Sequence, residues 1–129
     1  MKKRISVLFL SILTLTACGT SGGKVIDLND SQFAAKATES GVVLLDVRRP
    51  EEFAAGHIAG ASNLNFESGT FEADIAKLDK AKSYAVYCRS GNRSGQATVL
   101  MAKAGFTHVF NLSGGVIDWQ ASGKELVTN

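Results

Sequence analysis

One stretch of the chain decides its fold: Ser83-Tyr84-Ala85-Val86-Tyr87, followed at once by Cys88-Arg89-Ser90-Gly91-Asn92-Arg93-Ser94. The first five residues are rich in aromatic and β-branched side chains and predict a strand, whereas residues 96–104 carry apolar side chains at helical spacing. Cys88 therefore lies where a strand ends and a helix begins. Loop amides and a helix amino terminus form an anion-binding pocket at such a place. A thiolate is an anion, so we expect the pKa of Cys88 to be lowered.

Outward from this stretch, strand and helix patterns alternate along the chain. Strands are predicted at 24–28, 42–47, 62–65, 83–87 and 108–112. Helices are predicted over 30–38, from Pro50 onward, over 70–78, after the cysteine loop and after Gly114-Gly115, and Asn29 with Gln32 has the spacing of a capping box. This pattern predicts an α/β fold: an open, mostly parallel, five-stranded sheet with helices on both faces. Ligands of such sheets bind beyond the carboxyl ends of the strands, where the cysteine loop lies.

The amino-terminal segment predicts export. Three basic residues, Lys2, Lys3 and Arg4, precede an apolar run from 5 to 15 that is too short to span a membrane well. Leu15-Thr16-Ala17-Cys18 resembles the lipobox of bacterial lipoproteins. That resemblance implies removal of residues 1–17, lipidation of Cys18, a tether at 18–23 and one domain at 24–129. An ordinary secretory signal with an incidental cysteine is the alternative.

Localisation and charge follow from this interpretation. We expect an exported, membrane-anchored protein of the bacterial cell envelope, on the periplasmic side of the outer membrane in a Gram-negative host, because Gly19 and not aspartate follows Cys18. The formal charge of +2 becomes −1 once the three basic residues of the signal are removed, which leaves no footprint for nucleic acid. We expect a monomer.

The remaining cysteine favours catalysis. If Cys18 is acylated through its sulfur, it cannot form a disulfide, and Cys88 is a lone thiol. A free thiol in an oxidising compartment is a liability unless it is used. With two separated histidines, one available cysteine and no ligand spacing, no metal site is expected, and no cofactor is implied.

The sequence resembles the single-domain rhodaneses, which are thiosulfate sulfurtransferases. The resemblance is carried by blocks that span nearly the whole predicted domain: Asp46-Val47-Arg48, Pro50-Glu51-Glu52-Phe53, Gly56-His57-Ile58, Gly60-Ala61, the loop 88–94, Gly105-Phe106 and Leu112-Ser113-Gly114-Gly115. It implies a rhodanese-like fold and Cys88 as the catalytic nucleophile. It also implies a persulfide on Cys88, formed from a donor such as thiosulfate and discharged to cyanide or a thiol.

The resemblance and the loop chemistry together give each marked residue an expected role. The amides of residues 89–93, including those of Ser90, Gly91 and Asn92, are expected to hold the persulfide, with Gly91 permitting unusual backbone angles. Arg89 and Arg93 are candidates to clamp an oxyanion donor, and helix capping is the expected role of Ser94, with hydrogen bonding to sulfur as the alternative. Structural support is expected from the other marked residues: an ion pair of Asp46 with Arg48, a hydrogen-bonded His57 and a core Trp119.

Two other classes of protein remain open. A cysteine-dependent phosphatase also places cysteine and arginine around an anion loop, but with five intervening residues, whereas four separate Cys88 from Arg93. The shorter loop favours a small sulfur species. A sulfur carrier or thiol redox module without turnover is the second alternative, and the lack of a Cys-x-x-Cys pair argues against an oxidoreductase.

Overall fold

A computed structural model describes residues 22–129, and in that range strands and helices alternate without exception. The signal peptide, Cys18 and most of the tether lie outside the described residues. The elements are β1 Lys24–Leu28, α1 Asp30–Ala37, β2 Val42–Asp46, α2 Pro50–Ala55, β3 Ser62–Asn63, α3 Phe71–Ile75, β4 Ser83–Tyr87, α4 Asn92–Lys103, β5 His108–Leu112 and α5 Gly115–Ala121.

The strands form one sheet in the order β1-β5-β4-β2-β3, and every neighbouring pair is parallel. This confirms the predicted open parallel α/β sheet. Strand β4 lies at its centre, between β5 and β2. Its last four residues are buried, which suits a strand that is covered on both faces. Its carboxyl end leads directly into the cysteine loop.

Helices cover both faces of the sheet. Phe71 of α3 and Met101 of α4 belong to one buried cluster, whereas Phe33 of α1 and Trp119 of α5 belong to the other. Trp119 is therefore a core residue, as expected, and its indole Nε1 donates a hydrogen bond to the carbonyl oxygen of Glu125 at 3.1 Å. No helix within residues 22–129 has both the length and the apolar character that crossing a membrane requires.

Three predicted elements differ from the observed ones by two or more residues at one end. The helix predicted over 70–78 ends at Ile75, because the chain tightens into turns in which Lys77 and Leu78 donate to carbonyls three residues back. Only residues 62 and 63 pair with β2, so the third strand is shorter than predicted. The helix after the cysteine begins at Asn92, and thus includes the last three residues of the predicted loop. The capping box at the start of α1 is confirmed.

Candidate active site

Strand alternation directs the cysteine into the space beneath α4. Tyr84 and Val86 point into the cluster that contains α4, while Ala85 and Tyr87 point to the opposite face. Successive side chains of a strand alternate in this way, and Cys88 continues the first series. It is 1% exposed and packs in the same cluster as Tyr84 and Val86. The sulfur thus lies inside the protein, at the carboxyl end of the central strand.

Two hydrogen-bond donors converge on this sulfur. The amide of Gly91 donates to the Sγ of Cys88 at 3.1 Å, and the hydroxyl of Ser94 donates to it at 3.3 Å. Gly91 is the residue that caps the amino end of α4. The sulfur is therefore placed where the positive end of the helix dipole and free amides favour a negative charge.

These donors set the ionisation of Cys88. Burial is the largest influence on its pKa and opposes ionisation. The hydroxyl of Ser94 and the amides of Ser94, Gly91 and Ser90 favour the thiolate and outweigh it, so that the pKa of Cys88 is lowered from its ordinary value of 9.0. The direction is the one expected from the sequence. A larger fraction of the thiol is then ionised at neutral pH.

The carbonyl oxygens of the cysteine loop are bound by α5. The amide of Val116 donates to the carbonyl of Cys88 at 3.0 Å, and the amide of Ile117 donates to that of Arg89 at 3.1 Å. A side chain at Gly115 would overlap the carbonyl of Arg89, so the first residue of α5 is required to be small. Because α5 takes up the carbonyls, the loop can turn amides toward the sulfur.

Gly91 is the residue that makes the turn possible. Its φ is +94°, in the left-handed region that glycine adopts without strain. A Cβ at this position would also overlap the carbonyl oxygen of Ser113, at the end of β5. Both the backbone angle and the close approach therefore exclude a side chain here.

The expectation that Ser94 caps the helix is wrong. Ser94 lies in the first turn of α4 rather than before it, and no side chain caps this helix. Its buried hydroxyl donates to Cys88 Sγ instead, which was the alternative role considered for it. The error follows from the helix start at Asn92, four residues before the apolar pattern begins.

Arg93 links α4 to α2. Its Nη1 and Nη2 donate to the two carboxylate oxygens of Glu52 at 2.7 and 2.9 Å, and Glu67 lies 3.6 Å from Nη1. Hydrogen bonding to Arg93 lowers the pKa of Glu52 to about 2, and the same pair raises the pKa of Arg93. The guanidinium is thus already held by a carboxylate. A role for Arg93 as an oxyanion clamp stays a prediction.

Sequence reasoning did not find the partner of Arg93. That partner, Glu52, lies 41 residues from Arg93 along the chain. Its position within the Pro50-Glu51-Glu52-Phe53 block was the available signal, but nothing in the spacing of that block names a partner. The pairing depends on β2 and β4 being neighbours in the sheet.

The other loop residues have more exposed side chains. Arg89 is exposed and lines a pocket of about 300 Å³ together with Arg48, Glu52 and Ile117. Ser90 is exposed as well, so its nearest contribution to the sulfur is its amide. The side chain of Asn92 accepts a hydrogen bond from Gln96 at 3.0 Å.

Three of the residues expected to give structural support, Asp46, Arg48 and His57, lie around α2, between the last residue of β2 and the turn that follows the helix. Arg48 donates to Asp46 through Nε at 3.0 Å and through Nη2 at 2.7 Å, and also to the carbonyl of Gly56 at 2.6 Å. Both charged groups are buried. His57 is buried too, with Nδ1 2.9 Å from the carbonyl of Phe53 and its ring stacked on the Phe53 ring at 3.8 Å. This network holds the end of α2, and with it Glu52, against the sheet.

The site has the elements of nucleophilic catalysis: a thiol whose ionisation is favoured, amides that receive negative charge, and an exposed guanidinium beside the loop. Over residues 22–129, there is no group of three or more His, Cys, Asp and Glu side chains with the proximity to hold a metal ion.

Comparisons of sequence and of structure with known proteins agree on one family. The model of the rhodanese-like domain family matches residues 29–122. The chain is 36% identical over 86 residues to a sulfurtransferase of Allochromatium vinosum, covering 67% of this chain and 78% of that one. It is 35% identical over 91 residues to the thiosulfate sulfurtransferase GlpE of Ectopseudomonas mendocina, covering 70% and 82%. Among solved structures, a rhodanese-related protein of Thermoplasma volcanium superimposes with a TM-score of 0.70 at 28% identity, covering 81% of this chain and 99% of the other.

Proposed function

Since the chain belongs to the rhodanese-like domain family, we propose that it moves a sulfane sulfur from a donor such as thiosulfate to a thiophilic acceptor, through a persulfide on Cys88. Relatives named sulfurtransferases, at modest identity, support the transfer of sulfur in general. The specific route rests on the geometry of the cysteine loop. The observation that carries it is the pair of donors, the Gly91 amide and the Ser94 hydroxyl, at 3.1 and 3.3 Å from Sγ.

The first half of the reaction forms the persulfide. The thiolate of Cys88 attacks the outer sulfur of thiosulfate, the sulfur–sulfur bond of the donor breaks, and its electron pair leaves with sulfite. The negative charge then lies on the outer sulfur of the persulfide. Amides that already point into the loop stabilise this charge without reorganisation during the reaction.

The second half regenerates the thiolate. Cyanide attacks the outer sulfur, and the bond between this sulfur and Sγ breaks. Thiocyanate leaves, and the electron pair of the broken bond returns to Cys88 as the thiolate. We assign Arg89 to attraction of the anionic donor, because its side chain is exposed beside the loop. Arg93, held by Glu52, fixes the start of α4 and contributes positive charge near the sulfur.

The test is a turnover measurement in which the sulfur of Cys88 is replaced by oxygen. The purified protein is mixed with thiosulfate and cyanide, and thiocyanate is measured for the wild type and for Cys88→Ser. We expect thiocyanate formation above background from the wild type only, and an intact mass that increases by one sulfur after thiosulfate alone. Equal rates for the two proteins would remove Cys88 from the mechanism, and faster hydrolysis of a phosphate ester than sulfur transfer would favour a phosphatase.

We also propose that the chain is lipid-anchored through Cys18 in a bacterial cell envelope. The support is the order of basic, apolar and small residues that ends in Leu15-Thr16-Ala17-Cys18. Donor and acceptor would then meet the protein outside the cytoplasm. Analysis of acyl groups on the intact chain tests this directly, and a Cys18 that carries no lipid would contradict it.

A further inference from the structure

Two pockets of different character flank the cysteine loop. The first is the pocket of about 300 Å³ that contains Arg89, Arg48 and Glu52. The second, here called the apolar groove, has a volume of about 550 Å³ and no charged side chain in its lining, which consists chiefly of Phe66, Gly91, Asn92, Gln96, Val99 and Leu100. This volume is within the range of sites that bind small organic molecules.

The apolar groove begins at the cysteine loop, at a residue whose backbone contacts the sulfur of Cys88. Gly91 forms part of its wall, and the amide of this same residue donates to Sγ of Cys88 at 3.1 Å. Val99 and Leu100, on α4, extend the wall away from the loop. A molecule in the groove would therefore have one end at the cysteine loop and its body along α4.

The opposite wall is preorganised. Phe66 follows β3 and packs edge-on against Phe71 of α3, with ring centroids 5.3 Å apart. Its amide donates to the carbonyl of Val47 at 3.1 Å, which fixes the segment against the end of β2. An aromatic wall held in this way offers a surface to an apolar ligand at little cost in conformational entropy.

Val99 lies outside both buried core clusters. It is 45% exposed on a helix whose buried side already supplies the core with Ala97 and Met101. Asn92 and Gln96, joined by a hydrogen bond, give the groove an uncharged polar edge at the loop end. An apolar wall with a few polar groups near the reacting atom is the usual composition of a small-molecule site.

The two pockets match the two substrates of a ping-pong reaction. An anionic donor gains nothing from a groove without positive charge, whereas Arg89 serves it on the other side of the loop. We propose that the apolar groove binds the body of an uncharged thiol with an aliphatic or aromatic group, and that this thiol is the acceptor of the sulfur. The proposal rests on the proposed function and names the class of its second substrate.

The transfer balances without a further reactant. The thiol gives up its proton and its sulfur attacks the outer sulfur of the Cys88 persulfide. The bond between the outer sulfur and Sγ breaks, and its electron pair returns to Cys88 as the thiolate. The product is the hydropersulfide of the acceptor, which takes back the proton.

The experiment isolates this second half of the reaction. The protein is first loaded with thiosulfate and freed of excess donor, and loss of the sulfur from Cys88 is followed by mass spectrometry with mercaptoethanol, butanethiol, phenylethanethiol or glutathione, each corrected for its thiolate fraction. We expect the corrected rate constants to increase with the apolar body, by about tenfold from mercaptoethanol to phenylethanethiol. Glutathione, which is large but charged, is expected to react more slowly than phenylethanethiol.

A matched pair of variants assigns this preference to the groove. Val99→Gln places a polar group in the groove. Ile26→Gln replaces a β-branched side chain of similar exposure, 42%, on the edge strand β1, outside the groove. We expect the preference for phenylethanethiol over mercaptoethanol to decrease at least threefold in Val99→Gln and to persist in Ile26→Gln.

The outcomes separate the two proposals. If no persulfide forms, or if cyanide cannot discharge it, the proposed function fails. If cyanide discharges the persulfide but the thiols differ only as their acidity predicts, the proposed function stands and the acceptor groove is overturned. Faster discharge by glutathione than by phenylethanethiol, or an equal loss of preference in both variants, would also overturn it.

Discussion

At the scale of single residues, the reactivity of Cys88 is a balance of opposing influences. Burial raises the free energy of the thiolate, while one hydroxyl and several amides lower it, and the second influence is the stronger. Ser94 is the side chain on which this balance depends, because its hydroxyl is the largest of the influences that lower the pKa. The ionisation of Cys88 therefore depends chiefly on a residue in the first turn of α4.

We expect Ser94→Ala to raise the pKa of Cys88. Loss of a hydrogen bond to the charged form moves the pKa up toward the ordinary value of 9.0, so the thiolate fraction decreases at neutral pH. Alkylation by iodoacetamide at pH 7 should slow by roughly three- to tenfold, since one pKa unit corresponds to a tenfold change. At a pH well above the pKa of Cys88 in both proteins, the two alkylation rates should converge. The measurement is the alkylation rate as a function of pH.

Thr98→Ala is the control for this change. Thr98 is also a buried hydroxyl of α4, but it donates to the carbonyl of Gly95 at 3.0 Å and not to the sulfur. Its replacement should leave the alkylation profile in place. Identical profiles for Ser94→Ala and the wild type would show that the 3.3 Å contact has no influence on ionisation.

The sequence predicts residue roles only where chemistry and position coincide. The lowered pKa of Cys88 and the positive φ of Gly91 could be predicted, because both follow from a loop that joins a strand to a helix. The pair of Arg93 with Glu52 could not, because it joins the first turns of two helices, α4 and α2, which become neighbours only when the sheet forms. Ser94 was assigned to the wrong role because the start of α4 is set by the positive φ of Gly91, which no apolar pattern records.

At the scale of elements, the site is produced by three connections to one loop. Strand β4 brings Cys88 to the end of the sheet, α4 begins over its sulfur, and α5 binds the outward carbonyls of the loop. The sequence predicted all three elements from their patterns. It did not predict that α5 contacts the loop, since that contact depends on backbone atoms alone.

We expect Gly91→Ala to damage the loop more than a positive φ alone explains. Gly69→Ala is the matched control, because Gly69 has a φ of +81° but open space where a Cβ would be. That control should lose about 1 kcal/mol in the free energy of unfolding, the usual cost of a side chain in this region. Gly91→Ala should lose more, because its Cβ also meets the carbonyl of Ser113. Denaturant unfolding measures both, and equal losses would contradict the close approach.

The same substitution should also change the chemistry. If the loop shifts to relieve the overlap, the amide of residue 91 leaves its position 3.1 Å from Sγ, and the pKa of Cys88 increases. Thiocyanate formation at neutral pH should decrease in Gly91→Ala and remain close to the wild-type rate in Gly69→Ala. A destabilised Gly91→Ala that retained full activity would show that this amide is not needed.

At the scale of the whole molecule, the parallel sheet gives the protein two different ends. All five strands run in the same direction. Their carboxyl ends, with the cysteine loop, therefore lie on one side of the molecule, and their amino ends lie on the opposite side. The chain enters the sheet at Lys24, the amino end of β1, and the amide of Gly23 donates to the carbonyl of Ala102 near the end of α4. A strand of five residues separates these two sides by about 15 Å.

This polarity predicts how a lipid anchor on Cys18 would present the enzyme. A tether that ends at the amino ends of the strands leaves their carboxyl ends, with Cys88, directed away from the membrane. We therefore expect Cys18→Ser to release the protein from the membrane fraction while thiosulfate:cyanide turnover per molecule stays the same, because neither small substrate has to pass the lipid surface. Membrane fractionation followed by turnover measurements on both forms, at equal protein concentration and without detergent, tests both parts. Equal membrane association of the two forms would contradict the anchor, and a membrane-bound form with much lower turnover than Cys18→Ser would contradict the outward orientation of the loop.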